Sequence, residues 1–450
     1  MSIRTAPEAS PSPRVVALSP APAACAAPIA PVVHAAPVVD AVPSAHAAPS
    51  AQGAAGLASL AGLAGLAGLA ALPGLACTDR DLLDAYLDRG ITDIVSVPCS
   101  ITDTWHALAA DETRRGRANL IMSSHEGNLP GIAGGIFLGT GRPALVHMQN
   151  SGLPNAGDGF ISFADPEVLG IPMAVMVTFR GATPADDSEP HQAIGRRTDA
   201  LCDAIFGADA CVFGDRHGRA LLQEAACSIT AARAGAIGVL KLSEGGFRKT
   251  HRATLQPPSQ GATRLDRRTL RATKGVDSLD PALRSATALT RDEAIQAIAA
   301  HHPAAAMLFC NGYTARAARA ICDSPRNLYN IGYMGGTLAI AWGLAKSRPD
   351  IEVVVVDGDQ NALMSAMKDH LAGDYPANLH WYILDNGIGA SVGTSESLPL
   401  AASYDDLARV IETRADEPGS FRHPRVRATS PGAPLSALSA RFRRWLAATG

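Results

Sequence analysis

Glu352-Val-Val-Val-Val-Asp-Gly-Asp-Gln-Asn361 joins an unbroken apolar run to a turn that carries a carboxylate. The four valines predict a strand buried on both faces, as in a parallel sheet covered by helices. The next apolar run, Trp381–Asp385, predicts a second strand, and Asn386 follows it directly. In doubly wound sheets, ligands bind beyond the carboxyl ends of the strands. We therefore expect Asp359 and Asn386 to face a common site.

These two side chains suit a magnesium ion bound together with a diphosphate. Carboxylate and amide oxygens are ligands that Mg²⁺ accepts, and it usually shares them with phosphate groups. Gly358 and a helix predicted to start near Asn361 would supply backbone N–H groups to the diphosphate. A Gly-Asp pair alone is an ordinary turn. The specific signal is the placement of Asp359 and Asn386 at the ends of two successive strands.

Helix and strand signals alternate on both sides of this stretch, which predicts an α/β fold with parallel sheets. Thr78 is expected to cap a first helix, and Thr290-Arg-Asp-Glu293 is a capping box that opens a second series of elements. A Gly-rich helix is predicted from about Leu129. The predicted strands are 91–97, 119–123, 144–148, 173–178, 236–241, 306–310, 352–357 and 381–385.

The fold class predicted from this pattern is two tandem doubly wound parallel-sheet domains. We place them at residues 77–247 and 289–450, joined by a polar, basic linker at 248–288. Residues 1–76 are rich in Ala, Pro and Gly and have too few large side chains to form a core, so we expect a disordered leader. Its segment 54–76 is long enough for a membrane span, but more than half of it is Ala and Gly, so a low-complexity tail is the preferred interpretation.

Composition excludes several classes of protein. The chain of 450 residues is 47% hydrophobic and carries a net charge of −3, which argues against a dedicated nucleic-acid binder. The eight cysteines form no C-x-x-C pair and no cluster with histidine. A zinc site or a disulfide framework is therefore not expected, and a cytoplasmic location fits best. No nucleic acid or membrane is expected as a partner.

The second predicted domain resembles the thiamine-diphosphate-binding motif, in which Gly-Asp-Gly is followed some 25 to 30 residues later by Asn. By that resemblance, Asp359, Asn386 and the backbone carbonyl of Ile388 ligate Mg²⁺. Gly358 and Asn361 would then lie beside the diphosphate. Gln360 departs from the pattern, because the family usually has glycine there. If that backbone needed a positive φ, the side chain would cost about 1 kcal/mol and weaken cofactor binding.

Two further pieces match the same family. Glu126 follows the strand predicted at 119–123, and the resemblance makes it the catalytic glutamate that bonds the aminopyrimidine ring and exchanges its proton. Asn330-Ile-Gly-Tyr-Met-Gly-Gly336 is similar to the element that seats the pyrimidine. By that match, the Gly332 carbonyl accepts from the 4′-amino group and Met334 props the bent cofactor. Without this resemblance, Glu126 would be a solvated loop residue and Met334 a core residue.

Within that family the chain resembles the phosphonopyruvate decarboxylases, over about residues 78–446. Cys99 departs from their usual acidic residue and is similar to the sister sulfopyruvate decarboxylases. The segments that carry the likeness are His147–Asn155, Ala164–Val168, Ile171-Pro172, Thr178–Gly181, Glu189–Gln192, Ala362–Met364, Leu384–Gly393 and Val97–Ser100.

This resemblance implies non-oxidative decarboxylation of a small anionic 2-oxo acid through a thiamine-diphosphate carbanion, with phosphonopyruvate giving phosphonoacetaldehyde and CO₂. It also implies a homodimer or larger homo-oligomer, with the glutamate of one chain facing the metal ligands of another. Arg180 is the preferred phosphonate ligand, with a salt bridge to Glu189 or a nearby aspartate as the alternative. Lys241 is expected to be structural. The candidate substrate residues are Ser100, His125, Asn150, Ser151, Arg180 and His191.

Three alternatives stay open at this point. The substrate could be sulfopyruvate or another 2-oxo acid, used for decarboxylation or carboligation. The chain could instead be a catalytically silent cofactor-binding protein, which Gln360 and the unusual leader would suit. A membrane-anchored version would depend on residues 54–76 alone. Glu126, Asp359 and Asn386 are all present, which favours an enzyme.

Overall fold

The computed structural model describes residues 77–181, 187–207, 211–213, 217–250, 289–388, 397–414 and 433–449. The predicted leader, most of the predicted linker and the end of the Leu384–Gly393 segment lie outside these residues. None of the helices in the described ranges is both long and apolar enough to cross a membrane.

The first sheet has six strands in the order β2-β1-β3-β4-β6-β5, and every neighbouring pair is parallel. Its strands are β1 Asp93–Ser96, β2 Asn119–Met122, β3 Leu145–Gln149, β4 Met173–Phe179, β5 Cys211–Phe213 and β6 Ile237–Ser243. The helices around it are α1 Asp79–Leu87, α2 Asp103–Arg114, α3 Leu129–Thr140, α4 Leu153–Gly159, α5 Glu189–Gly195, α6 Thr198–Phe206 and α7 Arg219–Arg233.

The second sheet has five strands in the order β11-β10-β9-β7-β8, again all parallel. Its strands are β7 Ala306–Phe309, β8 Asn327–Tyr329, β9 Val353–Gly358, β10 Leu379–Asp385 and β11 Arg409–Glu412. Its helices are α8 Arg291–His301, α9 Tyr313–Ile321, α10 Thr337–Ser347, α11 Asp359–Met364, α12 Met367–Gly373 and α13 Leu435–Ala448. The prediction of two tandem parallel-sheet α/β units is confirmed.

Local signals were good guides to where the helices start. Thr78 caps α1 and Thr290 caps α8, and in both cases the third helical residue, Asp81 or Glu293, completes a capping box. Strands β5, β8 and β11 were not predicted. All three are edge strands of only three or four residues, and a strand paired on one side needs no long apolar run.

The central strand β9 shows why its sequence is so apolar. Val353 to Val356 have no solvent exposure, because β7 and β10 pair with the strand on either side and helices cover both faces of the sheet. A strand buried on both faces reads as a continuous hydrophobic run.

Helices α3 and α10 pack closely against each other and join the two sheet units. The contact depends on glycine: a methyl group at Gly135 would overlap the carbonyl oxygen of Ile340, and one at Gly343 would overlap that of Ile132. The Gly-rich start of the predicted helix at Leu129 thus lets two helix backbones approach closely. This crossing fixes the orientation of the loops that precede α3 and α10.

The beginning of the predicted linker lies against the first unit. Arg248 forms a parallel bridge with Thr78, and the backbone N–H of Thr250 donates to the carboxylate of Asp79 at 2.9 Å. The Asp79 side chain is fully buried, so these contacts tie residues 248–250 to the start of α1.

Candidate active site

The carboxyl ends of β9 and β10 open into one pocket in the second sheet unit. Asp359 begins α11 directly after β9, and Asn386 follows β10. Both line the pocket, together with residues of the loop before α10 and of the segment before α9. The pocket-lining residues that had been predicted are Met334, Gly358, Asp359, Gln360, Asn361, Asn386 and Ile388.

Asp359 carries an acceptor that the described part of the chain leaves unused. The residue is 6% exposed, and its Oδ1 accepts from the backbone N–H of Gln360 at 2.8 Å. Its Oδ2 is buried and has no hydrogen-bond partner among the described residues. Burial raises the pKa of the Asp359 carboxyl. The Ser397 hydroxyl donates to the Leu398 carbonyl at 3.3 Å, and it is near enough to Asp359 to lower the pKa of the carboxyl slightly. A buried carboxylate oxygen without a donor is stabilised by a cation.

Asn386 lies where its side chain can share such a cation. Its Oδ1 accepts from the backbone N–H of Ile388 at 3.1 Å, and Gly387 between them has a φ of 69°. A positive φ is accessible to glycine at little cost, so the turn depends on this residue. The oxygen donors of Asp359, Asn386 and Ile388 fit a hard divalent ion such as Mg²⁺.

The expectation that Gln360 would strain the backbone is wrong. Gln360 is the second residue of α11, and no non-glycine residue in the described ranges has a positive φ. The helix also begins at Asp359 and not near Asn361. Glycine is therefore not needed at position 360 for conformational reasons, and the side chain is free of the predicted cost.

Met334 projects from the loop before α10 and is 54% exposed, so the interpretation as a core methionine does not hold. The loop is built around Asn330, whose Nδ2 donates to the Tyr333 carbonyl at 2.7 Å while its Oδ1 accepts from the Tyr333 N–H at 3.1 Å. Gly335 has a φ of 70°. Gly332 lies directly against Ser162 of the first unit.

Glu126 begins the turn between β2 and α3 and is half-buried. Its Oε2 accepts from the Nδ2 of Asn155 at 3.0 Å. Gly152 makes room for the carboxyl group, since a methyl there would lie 2.7 Å from its carbon Cδ. Asn155 belongs to the quoted segment His147–Asn155, but its role in holding the glutamate was not predicted.

The two sheet units meet where these loops meet. The phenol of Tyr333 donates to the carbonyl of Gly127, next to Glu126. The backbone N–H of Met334 donates to Oδ2 of Asp158 at 2.9 Å. The turn that carries Glu126 and the loop that carries Met334 are therefore in contact within one chain, and the expectation that Glu126 faces the metal ligands of a second chain stays a prediction. Homo-oligomerisation itself stays a prediction.

Arg180 forms the salt bridge that was held as its alternative role. Its guanidinium donates to both carboxylate oxygens of Asp187, at 2.9 and 2.8 Å, and this pair holds the pKa of Asp187 far below its usual range. Arg180 also donates to the Ser100 hydroxyl at 3.1 Å and lies 3.3 Å from Nδ1 of His191. Asn150 donates to the Arg180 carbonyl at 2.9 Å. Four of the predicted substrate residues thus form one cluster.

The other two predicted substrate residues lie outside that cluster. The hydroxyl of Ser151 accepts from the Nε2 of Gln149 at 2.7 Å, and Nδ1 of His125 accepts from the backbone N–H of Gly127 at 3.0 Å. Both residues are exposed. Lys241 pairs with Asp199 at 2.5 Å, as its expected structural role requires.

A buried polar network below the Arg180 cluster was not predicted. The hydroxyl of Ser96 lies 2.7 Å from Nε2 of His106 and 2.8 Å from Nδ1 of His147. Burial lowers the pKa of His106 to about 4 and that of His147 well below its usual value. The network supports the segment that contains Cys99 and Ser100.

Comparison with known proteins bears directly on this site. Residues 310–414 match the C-terminal TPP binding domain of thiamine pyrophosphate enzymes. A phosphonopyruvate decarboxylase of Streptomyces viridochromogenes is 28% identical over 338 residues, which cover 74% of this chain and 80% of the relative. One from Streptomyces hygroscopicus is 29% identical, covering 74% and 79%. The beta subunit of a sulfopyruvate decarboxylase from Methanothermobacter thermautotrophicus is 38% identical over 109 residues, 24% of this chain and 57% of that subunit.

Solved structures agree on the fold. A thiamin diphosphate-dependent enzyme from Mycobacterium smegmatis aligns with a TM-score of 0.50 at 12% identity, covering 72% of this chain and 91% of that one. A 4-hydroxybenzoylformate decarboxylase from Rhodococcus jostii aligns with a TM-score of 0.50 at 13% identity, covering 76% and 99%.

Proposed function

We propose that this chain, a thiamine-diphosphate-dependent decarboxylase, converts phosphonopyruvate to phosphonoacetaldehyde and CO₂. The observation that carries the proposal is the buried Oδ2 of Asp359, which has no hydrogen-bond partner among the described residues. It lies at the ends of β9 and β10, in the pocket that Met334 also lines. The similarity to phosphonopyruvate decarboxylases over three quarters of the chain supports the substrate.

In this proposal the second unit holds the cofactor. Asp359, Asn386 and the Ile388 carbonyl would hold Mg²⁺, which would neutralise charge on the diphosphate. When bound, thiamine diphosphate would supply a nucleophilic carbon and a ring that can accept an electron pair, which is the chemistry that loss of CO₂ from a 2-oxo acid needs. The backbone N–H of Gln360 already donates to Oδ1 of Asp359, so the backbone N–H of Asn361, in the first turn of α11, is the group proposed to lie beside the diphosphate.

The first unit supplies the proton-transfer group. Glu126 is the proposed partner of the aminopyrimidine, and Asn155 holds one of its carboxylate oxygens. A carboxylate fixed by one donor keeps a second oxygen free for a ring nitrogen, which is the geometry that general acid–base catalysis requires. Gly332 and Met334 are proposed to seat the ring, since their loop contacts the turn after Glu126 through Tyr333.

The anionic end of the substrate is proposed to bind at the Arg180 cluster. Asp187 already neutralises Arg180, so binding there depends on Ser100 and His191 as additional donors, with Asn150 fixing the Arg180 backbone. A phosphonate presents three oxygens and up to two charges, and so competes for the guanidinium better than a single carboxylate does. His125 and Ser151 remain candidates for the carboxyl end, because both are exposed near Glu126.

Sulfopyruvate is the second candidate substrate. The similarity to a sulfopyruvate decarboxylase subunit and the presence of Cys99 favour it. The Cys99 thiol is buried and accepts from the Thr178 hydroxyl at 3.2 Å, so this position offers a neutral group beside the Arg180 cluster.

The deciding experiment is release of CO₂ over a panel of 2-oxo acids, with thiamine diphosphate and Mg²⁺ supplied. Phosphonopyruvate is expected to give the largest kcat/KM, above sulfopyruvate and pyruvate. A larger value for sulfopyruvate would replace the proposed substrate and keep the proposed chemistry. Cofactor binding with no CO₂ release from any member would favour a silent cofactor-binding protein. A cytoplasmic homo-oligomer is part of the same proposal, and light scattering tests its mass.

A further inference from the structure

One side chain joins the turn that carries Asp359 to the loop that carries Met334. Asn361, in the first turn of α11, is 6% exposed. Its Nδ2 donates to Oδ1 of Asp357 at 2.5 Å, and its Oδ1 accepts from the backbone N–H of Gly335 at 2.8 Å. Both ends of the amide are therefore used inside the protein.

Chemistry permits only one orientation of this amide. Asp357 is fully buried, and its second oxygen Oδ2 accepts from the indole N–H of Trp381 at 3.1 Å, so it faces Asn361 as an acceptor. Gly335 presents a backbone N–H, which is a donor. An Asn side chain has one donating and one accepting end, and it matches this pair in one way. No aliphatic side chain of that size could make either bond.

The loop that Asn361 contacts is held in place by side-chain hydrogen bonds, and not by packing of Met334, which lies at its centre. Met334 is 54% exposed. Three side chains fix three successive residues: Asn330 binds the Tyr333 carbonyl, Asp158 binds the Met334 N–H, and Asn361 binds the Gly335 N–H. Of the three, only Asn361 comes from the helix that starts at Asp359.

Gly335 makes the attachment tight. Its φ is 70°, and a methyl group there would lie 2.7 Å from the carbonyl oxygen of Met364, at the end of α11. The loop thus rests on α11 at two places, Asn361 and Met364. A shift of α11 would move the loop with it.

We infer that Asn361 is a positioning residue. It fixes the loop that carries Met334 relative to the turn between β9 and α11 that carries Asp359. This inference rests on the proposed function, in which the loop seats the pyrimidine and the turn holds the diphosphate. Asn361 then sets the distance between the part of the protein that seats the pyrimidine and the part that holds the diphosphate. The side chain of Asn361 thus has a role of its own, beside the expectation that its backbone N–H lies at the diphosphate.

The test compares Asn361→Ala and Asn361→Ser with wild type, using the full-length protein. Both variants lose the bridge, since neither side chain can reach Asp357 and Gly335 together. We expect the Kd for thiamine diphosphate, measured by calorimetry at saturating Mg²⁺, to rise about tenfold, on the order of one lost hydrogen bond to a buried partner. We also expect kcat at saturating cofactor to fall, because a misplaced ring is not corrected by higher cofactor concentration.

Asn327→Ala is the matched control. Asn327 is a buried asparagine of the same unit that donates to the Cys322 carbonyl at 2.8 Å and the Tyr329 hydroxyl at 3.0 Å. This control should lower Tm and leave cofactor Kd and kcat unchanged. If the Asn361 variants behave like the control, the inference is overturned and Asn361 is only structural. If wild type itself binds no thiamine diphosphate, the proposed function fails first. Should Asn361→Ala not fold, the Ser variant decides by the same criteria.

Discussion

The Oδ2 atom of Asp158 accepts a hydrogen bond from the backbone N–H of Met334 at 2.9 Å, which ties the two sheet units together at the candidate site. The Ser162 hydroxyl donates to the other oxygen of Asp158 at 2.6 Å and so orients the carboxylate. The loop that is proposed to seat the cofactor ring is thus positioned by a residue of the unit that carries Glu126.

Asp158→Ala should therefore weaken cofactor binding through a residue outside the pocket. The lost bond to a charged acceptor is partly exposed, so we expect a cost of about 1 kcal/mol, or a five- to tenfold rise in the thiamine diphosphate Kd. Asp158→Asn keeps an acceptor and should recover most of the affinity. Equal loss in both variants would mean that the charge of Asp158, and not this hydrogen bond, matters.

Glu126→Gln should abolish most turnover and leave cofactor affinity nearly unchanged. The amide has the shape of the carboxylate but cannot exchange a proton with the ring. Calorimetry and CO₂ release measure the two effects separately. Glu167→Gln, at an exposed position of the same unit, is the control. A loss of turnover below about tenfold, on the order of 1.4 kcal/mol, would remove Glu126 from its proposed role.

Asp359→Ala should weaken Mg²⁺ and thiamine diphosphate together, because the ion is proposed to bridge the carboxylate and the phosphates. Without cofactor the same variant should be more stable or unchanged in thermal unfolding, since it removes a buried carboxylate oxygen that has no donor among the described residues. Asp369→Ala, exposed in α12, should change neither quantity. Unchanged diphosphate affinity in Asp359→Ala would place the metal elsewhere.

Gln360→Gly should not tighten cofactor binding. Because Gln360 has a helical conformation, glycine relieves no strain and instead lowers helix stability by up to about 1 kcal/mol. Cofactor titrations at saturating Mg²⁺ measure the affinity, and Gln360→Ala separates loss of the side chain from loss of backbone stiffness. Tighter binding in the glycine variant alone would show that the turn changes conformation when the cofactor binds.

Stability should fall as the pH drops from about 6.5 toward 4. His106 and His147 are buried with lowered pKa values, so below 6.5 the unfolded chain binds protons that the folded chain excludes. Each such group costs about 1.4 kcal/mol per pH unit. Asp357 acts in the opposite direction, because burial raises its pKa to about 6 and the folded chain then binds the extra proton.

Together, the two histidines and Asp357 lower the free energy of unfolding by about 1.4 kcal/mol for each pH unit between pH 6 and 4, which corresponds to a difference of one bound proton. Urea unfolding at pH 7, 6 and 5 measures it, and His106→Gln should flatten the slope. A free energy of unfolding that rises as the pH falls through this range would contradict the assignment of neutral, buried histidines.

The sequence by itself determined the class of fold and the principal strand ends of the site. Central parallel strands are buried on both faces, so the sequences of β9 and β10 are largely apolar runs. Helix caps such as Thr78 and Thr290 depend on hydrogen bonds between residues close in sequence, so they too can be predicted. Because ligands bind at the carboxyl ends of such strands, the amino-acid sequence alone was enough to assign Asp359 and Asn386 to one site.

Only the tertiary structure decided what these side chains contact. The pairing of Arg180 with Asp187, the bridge from Asn361 to Gly335 and the bond from Asp158 to Met334 depend on loops that fold against one another. The lack of a partner for Oδ2 of Asp359 among the described residues likewise depends on which donors the fold leaves nearby. Hydrogen bonds between distant segments leave no periodic pattern in a sequence, because they arise from packing in three dimensions.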